Sequence, residues 1–534
     1  MEPLVKRMYP RGKYQHKHVQ FGIRRLQHAL RMDKHHLVIY LILLWTIGTF
    51  PSTLTAQAQV KQNILLILVD DLRPSIRAFG DQFAVTPNID QLAQTAHVFE
   101  RAYANQAVCV ASRYNLLLGA RSTSTGLYDF GRAFRDYYPE AVTLPEYFKQ
   151  KGYYTGAIGK VFHVGHNTYN DTASWTVPHE YDLVVEYADK TQLGTTREEA
   201  LFANIPWSDA NKLKKGAAWE CLDVPDEVYA DGRVAQKTVL RLDELKKRNQ
   251  PFFLAVGFAR PHLPFSVPKK YWDMYDPAQI PMPEVTENPK GSPPFANKRD
   301  GEIAQYRGIP GAAESDPFPD SITRKLIHGY YAGVSYVDVQ IGKILQKLEE
   351  TGLDKNTIVV LWGDHGYLLG EMGMWTKHVN HELANRIPLI MHVPGSHRPL
   401  RSKELIETVD IFPTLVDLCG FTLRPLQQPL DGMSFSSYIK GARKAPRKFV
   451  YHCYPRDGRL GLAIRDDRYR LVAWQTLSGK GPVKYELYDY QNDNVERENI
   501  WSSDHPAFLK LKRMLNEQPP AAPIRPESKT RQLK

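Results

Sequence analysis

Unbroken apolar runs recur along this chain, and a charged residue follows each of them within a few positions. Four runs have the length of strands: Asn63–Val69, Tyr153–Ile158, Phe252–Val256 and Thr357–Trp362. Continuous apolar strands are typical of parallel sheets that are covered on both faces, whereas half-exposed strands alternate. The pattern therefore predicts an α/β fold, with a large, mixed but mostly parallel sheet flanked by helices.

Acidic residues follow two of these strands directly. Asp70 and Asp71 end the first, and Asp364 with His365 end the last. Either pair alone could be a solvated turn, but ligands of open α/β sheets gather at the carboxyl edge of the strands. We therefore expect one metal site that both halves of the domain build. Oxygen donors with one imidazole favour calcium first and magnesium second.

The cysteines do not favour zinc. Their positions are Cys109, Cys221, Cys419 and Cys453, without the CxxC spacing of a zinc knuckle or a dense disulfide framework.

Cys109 and Arg113 lie four residues apart at the predicted start of a helix, so they share one helix face. The free N–H groups at a helix N-terminus bind anions. This combination predicts a site for a tetrahedral oxyanion, although a buried free cysteine beside a surface arginine is the common alternative.

Three further loops that follow predicted strands carry candidate cationic groups. They contain Lys160 and His163, His262, and Lys377. Each could be an ordinary loop lysine or a packed histidine when taken alone. Because all three loops start at the edge where the acidic pairs lie, we expect them to join the same site.

These motifs together resemble a known family. The run Cys109-Val-Ala-Ser-Arg113 resembles the signature of the formylglycine-dependent sulfatases, with Ala111 where most members carry proline. Longer stretches resemble the iduronate-2-sulfatase subfamily, from about residue 62 to the last predicted helix: residues 67–74, 87–92, 106–109, 127–130, 159–163 and 253–257. Gly126 departs from the subfamily, whose human-type member carries an arginine suited to a uronate carboxylate there. The exact sugar therefore stays open.

The resemblance implies a fold and a set of site residues. The fold is alkaline-phosphatase-like, with a small C-terminal subdomain that holds an antiparallel sheet. The implied metal ligands are Asp70, Asp71, the modified Cys109, Asp364 and His365. The implied sulfate-binding and proton-transfer groups, which with Cys109 form the catalytic set, are Arg113, Lys160, His163, His262 and Lys377.

The implied reaction is hydrolysis of a sulfate monoester on a sugar of the glycosaminoglycan type. Oxidation of Cys109 by a formylglycine-generating or anaerobic maturation enzyme gives an aldehyde, whose gem-diol attacks sulfur with the help of calcium. His262 is the first choice for the acid that protonates the sugar oxygen, and Lys377 is the second. His163 then removes the proton of the second hydroxyl, whose oxygen expels sulfate and restores the aldehyde. The alternatives are action on another sulfated carbohydrate, a phosphate or phosphonate monoester hydrolase, and a non-catalytic sulfoglycan-binding protein with unconverted Cys109.

The chain divides into four predicted parts. Residues 1–58 are predicted to form a signal peptide with a long basic n-region. Residues 59–440 are predicted to form the catalytic α/β domain, and residues 441–518 the C-terminal subdomain. Residues 519–534 are Pro-rich and predict a disordered tail. Within the main domain, residues 282–319 lack periodicity and predict a long excursion near the site, and Ile322–Gly352 predicts a long amphipathic helix. Strands at 461–464, 469–474 and 485–488 and a helix over 507–515 are predicted in the C-terminal part.

The apolar run Leu37–Phe50 is shorter than the ~20 residues that span a bilayer and matches a signal h-region. Ala56-Gln-Ala58 predicts cleavage before Gln59, and a start at Met32 would give an ordinary leader; a retained anchor is the alternative. We thus expect a secreted or periplasmic protein without a stable membrane span. The net charge of +11 is concentrated at the two ends and leaves the body nearly neutral, so nucleic-acid binding is not indicated.

Overall fold

A computed structural model describes residues 61–189, 194–298, 301–310, 317–396, 401–492 and 495–528. The predicted leader, with its apolar run and its cleavage site, lies outside these residues. No helix of the described part is long and apolar enough to cross a membrane.

Thirteen strands occur in the described residues. They are β1 Asn63–Val69, β2 His97–Tyr103, β3 Tyr154–Gly159, β4 Trp219–Leu222, β5 Phe252–Phe258, β6 Phe265–Pro268, β7 Thr357–Gly363, β8 Arg386–His392, β9 Arg401–Glu407, β10 Val450–Arg456, β11 Arg459–Arg465, β12 Tyr469–Thr476 and β13 Lys484–Asp489. All four strands predicted from apolar runs are present within two residues of their predicted ends.

The α-helices of the same residues differ widely in length. They are α1 Pro87–Thr95, α2 Cys109–Leu118, α3 Ser122–Thr125, α4 Leu144–Gln150, α5 Arg197–Phe202, α6 Trp207–Ala210, α7 Ala230–Arg248, α8 Lys269–Trp272, α9 Asp320–Glu350, α10 Glu382–Asn385, α11 Ile411–Leu418, α12 Ser436–Ile439 and α13 Pro506–Asn516. The predicted long helix is α9, and Gly352 follows it with a φ of +65°.

Seven strands form the main sheet in the order β3-β5-β1-β7-β8-β2-β9. Strands β3, β5, β1 and β7 pair in parallel, and β2 pairs in parallel with β9. Strand β8 runs antiparallel to both of its neighbours, β7 and β2. Every residue of β1, β5 and β7 is buried, because hydrophobic clusters cover both faces of the sheet. The mixed, mostly parallel sheet predicted from the sequence is confirmed.

A separate antiparallel sheet forms from β10 to β13 in sequential order, and α13 packs on it. The sequence predicted three of its strands and the helix, and β10 was missed. The C-terminal antiparallel sheet implied by the family resemblance is therefore present.

The segment after α13 differs from the disorder predicted for it. Residues 519–528 lie along the loop 123–131, and the backbone N–H groups of Ala522, Arg525 and Ser528 donate to the carbonyls of Thr123, Gly126 and Gly131 at 2.6, 2.9 and 2.8 Å. Prolines do not prevent this arrangement, because an extended segment can pair through its other residues. The prediction of a tail disordered from residue 519 is wrong up to residue 528, and residues 529–534 lie outside the described ones.

The same contact explains Gly126. Its φ is +78°, and a Cβ atom at this position would lie 2.4 Å from the carbonyl oxygen of Pro523. A side chain there would require the C-terminal segment to move. Glycine at 126 is thus tied to the packing of residues 523–525.

Candidate active site

The predicted site residues lie at the carboxyl edge of four adjacent parallel strands. Strand β1 leads to Asp70, β7 to Asp364, β3 to Lys160 and β5 to the loop of His262. The backbone N–H of Asp71 donates to Asp364 at 3.0 Å, and the N–H of Asp364 donates to the carbonyl of Val69 at 3.1 Å. The two predicted acidic pairs therefore meet, as the topology requires.

Carboxylate, imidazole and sulfur atoms converge at this edge. Ligand atoms of Asp70, Cys109, Asp364 and His365 lie within 4.8 Å of one another, and those of Asp70, Asp71, Cys109 and His262 form an overlapping group. All six side chains are buried. Burial raises the pKa of Asp364, and the charge of Asp70 raises it further. Burial is likewise the main cause that raises the pKa of Asp71.

A cluster of buried carboxylates needs compensating positive charge. Three cations contact it: Lys160 contacts Asp70, Lys377 Nζ lies 2.9 Å from Asp71 Oδ1, and Arg113 Nη2 lies 3.0 Å from Asp364 Oδ2. The oxygen-rich donor set with one imidazole is chemically suited to a hard divalent cation. The residues present thus fit a metal site built from Asp70, Asp71, Asp364 and His365.

Cys109 is the first residue of α2, and Val108 is its N-cap. The thiol Sγ lies 3.2 Å from His365 Nε2, and the residue is 1% exposed. Burial, followed by the charge of Asp70, raises the pKa of the thiol well above its usual range. An unmodified Cys109 is therefore a neutral thiol here, which is a poor nucleophile.

Arg113 is on the same helix and is completely buried. Besides Asp364, its guanidinium contacts Asp70 at 3.4 Å and donates to the carbonyls of Lys160 and Val161. Its visible partners are thus carboxylates of the metal cluster and backbone carbonyls. The sulfate contact expected for Arg113 stays a prediction.

His163 has a partner that sequence reasoning missed. Its Nε2 lies 3.3 Å from Nδ1 of His166, while its Nδ1 is buried without a hydrogen-bond partner in the described part of the chain. Burial and the neighbouring charge of Lys160 hold the pKa of His163 well below its usual range. The ring is therefore neutral in this environment and can accept a proton.

His262 and Lys377 share a second missed residue, Glu302. Glu302 Oε2 lies 3.4 Å from both His262 Nε2 and Lys377 Nζ. His262 Nδ1 lies 2.5 Å from the carbonyl of Leu263, so its proton belongs on Nδ1 and Nε2 faces Glu302. Glu302 is within the predicted excursion 282–319, where no periodicity marks a functional position.

These side chains line one cavity of about 150 Å³. Cys109, His163, His262 and Lys377 are the predicted residues in its wall. The other lining residues were not singled out as site residues from the sequence: Phe130, His166, Arg197, Glu198, Leu201, Phe202, Trp207, Lys298, Gly301, Glu302, Gln305 and His378. They lie in short helices and loops between the strands, so strand-end motifs alone could not have identified them.

Similarity to known proteins agrees with this geometry. The family model described as Sulfatase matches residues 62–421, and that of the N-sulphoglucosamine sulphohydrolase C-terminal region matches residues 370–519. Iduronate 2-sulfatase of Mus musculus is 34% identical over 545 residues, which cover 87% of this chain and 96% of the mouse protein.

Two solved structures share the fold. The phosphonate monoester hydrolase of Silicibacter pomeroyi has a TM-score of 0.66 at 21% identity, with 85% of this chain and 94% of the other covered. A structure in complex with D-glucosamine-2-N,6-O-disulfate has a TM-score of 0.64 at 19% identity, with 86% and 96% covered. The residues matched by the Sulfatase family model make up more than half of the chain and include every residue that lines the cavity around Cys109. The chain therefore belongs to the sulfatase family.

Proposed function

We propose that this sulfatase removes sulfate from a sulfated sugar of the iduronate-2-sulfate type, using formylglycine made from Cys109 and one calcium ion. One observation carries the proposal: Cys109 begins a helix at the base of a cavity, against the carboxylate cluster and among His163, His262 and Lys377. The similarity to mouse iduronate 2-sulfatase over most of both chains supports the substrate type.

Formylglycine at position 109 would supply the oxygen nucleophile, and a bound calcium ion would lower the cost of ionising that oxygen. Asp70, Asp71, Asp364 and His365 would hold the ion. Arg113 stays buried against Asp70 and Asp364, where it offsets their mutual repulsion and fixes their orientation.

Positive charge at the base of the cavity binds the sulfate. Lys377 lines the cavity, and the buried Lys160 has its Nζ 5.3 Å from the ring of Phe202, which also lines the cavity. Fixed cations in a site that excludes water stabilise the charge that develops on the sulfate oxygens. Because Lys160 and Lys377 also contact Asp70 and Asp71, this role requires a bound cation that would neutralise those carboxylates.

His262 protonates the sugar oxygen as it leaves. Its Nδ1 is committed to the Leu263 carbonyl, so a proton delivered from Nε2 requires the imidazolium form. Burial, then the charges of Lys377 and Lys160, hold the pKa of His262 well below its usual range. Glu302 at 3.4 Å and the negative charge of a bound sulfate oppose this effect and favour the protonated ring.

His163 is the base that completes the turnover. It accepts a proton through its unpartnered Nδ1 in the tautomer in which its Nε2–H donates to His166 Nδ1. The lowered pKa of His163 keeps the ring neutral but weakens it as a base, and the negative charge of a bound sulfate opposes this lowering.

The predicted leader 1–58 would export the protein, and a maturation enzyme that acts on the Cys109 segment is the implied partner. We also propose the domain limits 59–440 and 441–518 for the catalytic and C-terminal parts. Conversion of Cys109 is the first thing to establish, because the proposed chemistry depends on it.

The test has two parts. Protein from a host that carries the maturation enzyme should yield a residue-109 peptide about 18 Da lighter than the cysteine form, as expected for a covalent oxidation to formylglycine. The same preparation is then assayed on defined sulfated disaccharides, an aryl sulfate and an aryl phosphate. Active protein with only unmodified cysteine would contradict the mechanism, and faster turnover of the phosphate would favour a phosphomonoesterase.

A further inference from the structure

A half-exposed tryptophan stands at the mouth of the cavity. Trp207, in the short helix α6, lines the same cavity as Cys109 and is 50% exposed, whereas Cys109 is 1% exposed. These two residues therefore mark the outer and inner ends of the site. Neither the acidic strand ends nor the Cys109 motif accounts for an indole at this place.

The indole is held in position by its neighbours. The guanidinium of Arg197 lies over the Trp207 ring at 5.1 Å, and the His166 ring lies 6.1 Å from it. Arg197 is itself fixed, because its Nε donates to Asn211 at 2.7 Å and its Nη1 donates to Gln305 at 2.8 Å. Arg197 and Gln305 also line the cavity, so polar groups flank the indole.

The size of the cavity limits what it can enclose. Its volume of about 150 Å³ is below the roughly 300–1,000 Å³ of pockets that bury a drug-sized ligand. A sulfate with the sugar ring that carries it would fill such a space. The next ring of a saccharide must then lie outside, at the rim where Trp207 is found.

We propose that Trp207, flanked by Arg197 and Gln305, forms a second sugar subsite that binds the unit next to the sulfated one. The indole offers an apolar face to the C–H face of a pyranose, and its half-exposed position suits an amphipathic ligand. Arg197 adds a planar donor for an anionic group on that second unit. This inference rests on the proposed function and makes its substrate a saccharide of at least two units.

Binding is measured first, without turnover. Full-length protein carrying Cys109→Ala is titrated calorimetrically with a uronate-2-sulfate–glucosamine disaccharide and with the corresponding sulfated monosaccharide. We expect the disaccharide to bind more tightly, and the added Trp207→Ala change to weaken the disaccharide about 3- to 10-fold, the size of one aromatic contact. The monosaccharide should be unaffected by Trp207→Ala.

Two further variants separate the subsite from general damage. Trp207→Phe keeps an aromatic face and should retain most of the disaccharide affinity. Trp501→Ala removes another exposed tryptophan, 41% exposed, that contacts Tyr485 and Phe508 in the C-terminal part, and should change neither affinity.

The active enzyme gives an independent readout. Trp207→Ala should raise KM for the disaccharide by the same factor at unchanged kcat, and leave turnover of a small aryl sulfate as in the wild type. Equal effects on mono- and disaccharide, or no effect on either, would overturn the subsite. A wild-type enzyme that hydrolyses aryl sulfate but no sugar sulfate would instead refute the proposed function, while the titration would still decide the role of Trp207.

Discussion

Glu302 Oε2 lies 3.4 Å from Lys377 Nζ and also 3.4 Å from His262 Nε2. One carboxylate therefore faces both candidates for the proton donor. A carboxylate beside an imidazole or an ammonium favours the protonated form of each. Glu302 is thus placed to hold the acid in the state from which it can donate.

Glu302→Gln should keep the shape of the side chain and remove its charge. We expect kcat on a sugar sulfate to fall by about 10-fold or more, but by no more than the roughly 10²–10⁴-fold that general acid catalysis contributes as a whole. An aryl sulfate should lose less, because a phenolate leaves without protonation. Steady-state kinetics on both substrates checks this, with Glu284→Gln as the control, since the Glu284 side chain is 88% exposed. Equal losses on both substrates would assign Glu302 to binding or folding.

The assignment of the acid itself is tested by His262→Ala. Alkyl sugar sulfates should lose far more activity than aryl sulfates, because a sugar alkoxide needs a proton and a phenolate does not. The ratio of kcat/KM on the two substrate types is the measurement. If both fall by the same factor, His262 binds sulfate and Lys377 becomes the leading candidate for the acid.

Asp364→Ala should abolish metal binding and activity together. The residue is completely buried between Arg113 and the backbone N–H of Asp71, and a site with few carboxylates cannot spare one. Metal content by elemental analysis and activity are measured on the same sample. Asp467→Ala, at a side chain that is 82% exposed, should retain both. Full metal stoichiometry in an active Asp364→Ala protein would place the ion elsewhere.

The sequence predicted the inner half of the site better than the outer half. Asp70, Asp364 and Lys160 could be located because each directly follows an apolar strand, and parallel strands bring their carboxyl ends to one edge. Strands β8, β2 and β9, which form one side of the sheet, were missed. Charged residues interrupt the apolar pattern of β2 and β9, and β8 contains Pro388, which is unusual inside a strand.

The cavity residues that do not follow a strand directly carried no comparable signal. His166, Trp207 and Glu302 belong to loops or very short helices, where position depends on tertiary contacts rather than on periodicity. The ordered segment 519–528 was missed for the same reason. Its backbone hydrogen bonds to loop 123–131 cannot be predicted from its amino-acid composition.

Glu496 joins two parts of the fold, and its contribution to stability can be measured. Its buried carboxylate contacts the buried Arg470, accepts from the N–H of Glu382 at 2.7 Å and lies 3.5 Å from His381. It therefore ties the C-terminal sheet to the segment that follows Lys377. Burial alone would raise the pKa of Glu496, but the charge of Arg470, followed by that of His381, holds it below its usual range.

Glu496→Ala should lower the free energy of unfolding by about 3–5 kcal/mol, because it leaves Arg470 buried without its carboxylate. The native pKa of Glu496 is lowered, so its stabilising contribution is complete above about pH 4.5, the ordinary value, and is lost as the pH falls towards the native pKa. Chemical denaturation of wild type and variant between pH 3 and 7 measures the difference. Glu498→Ala, at a side chain that is 58% exposed, is the control and should cost little. A difference between wild type and Glu496→Ala that stays constant down to pH 3 would support lost packing as its cause, and a difference that shrinks with acid would support the charge.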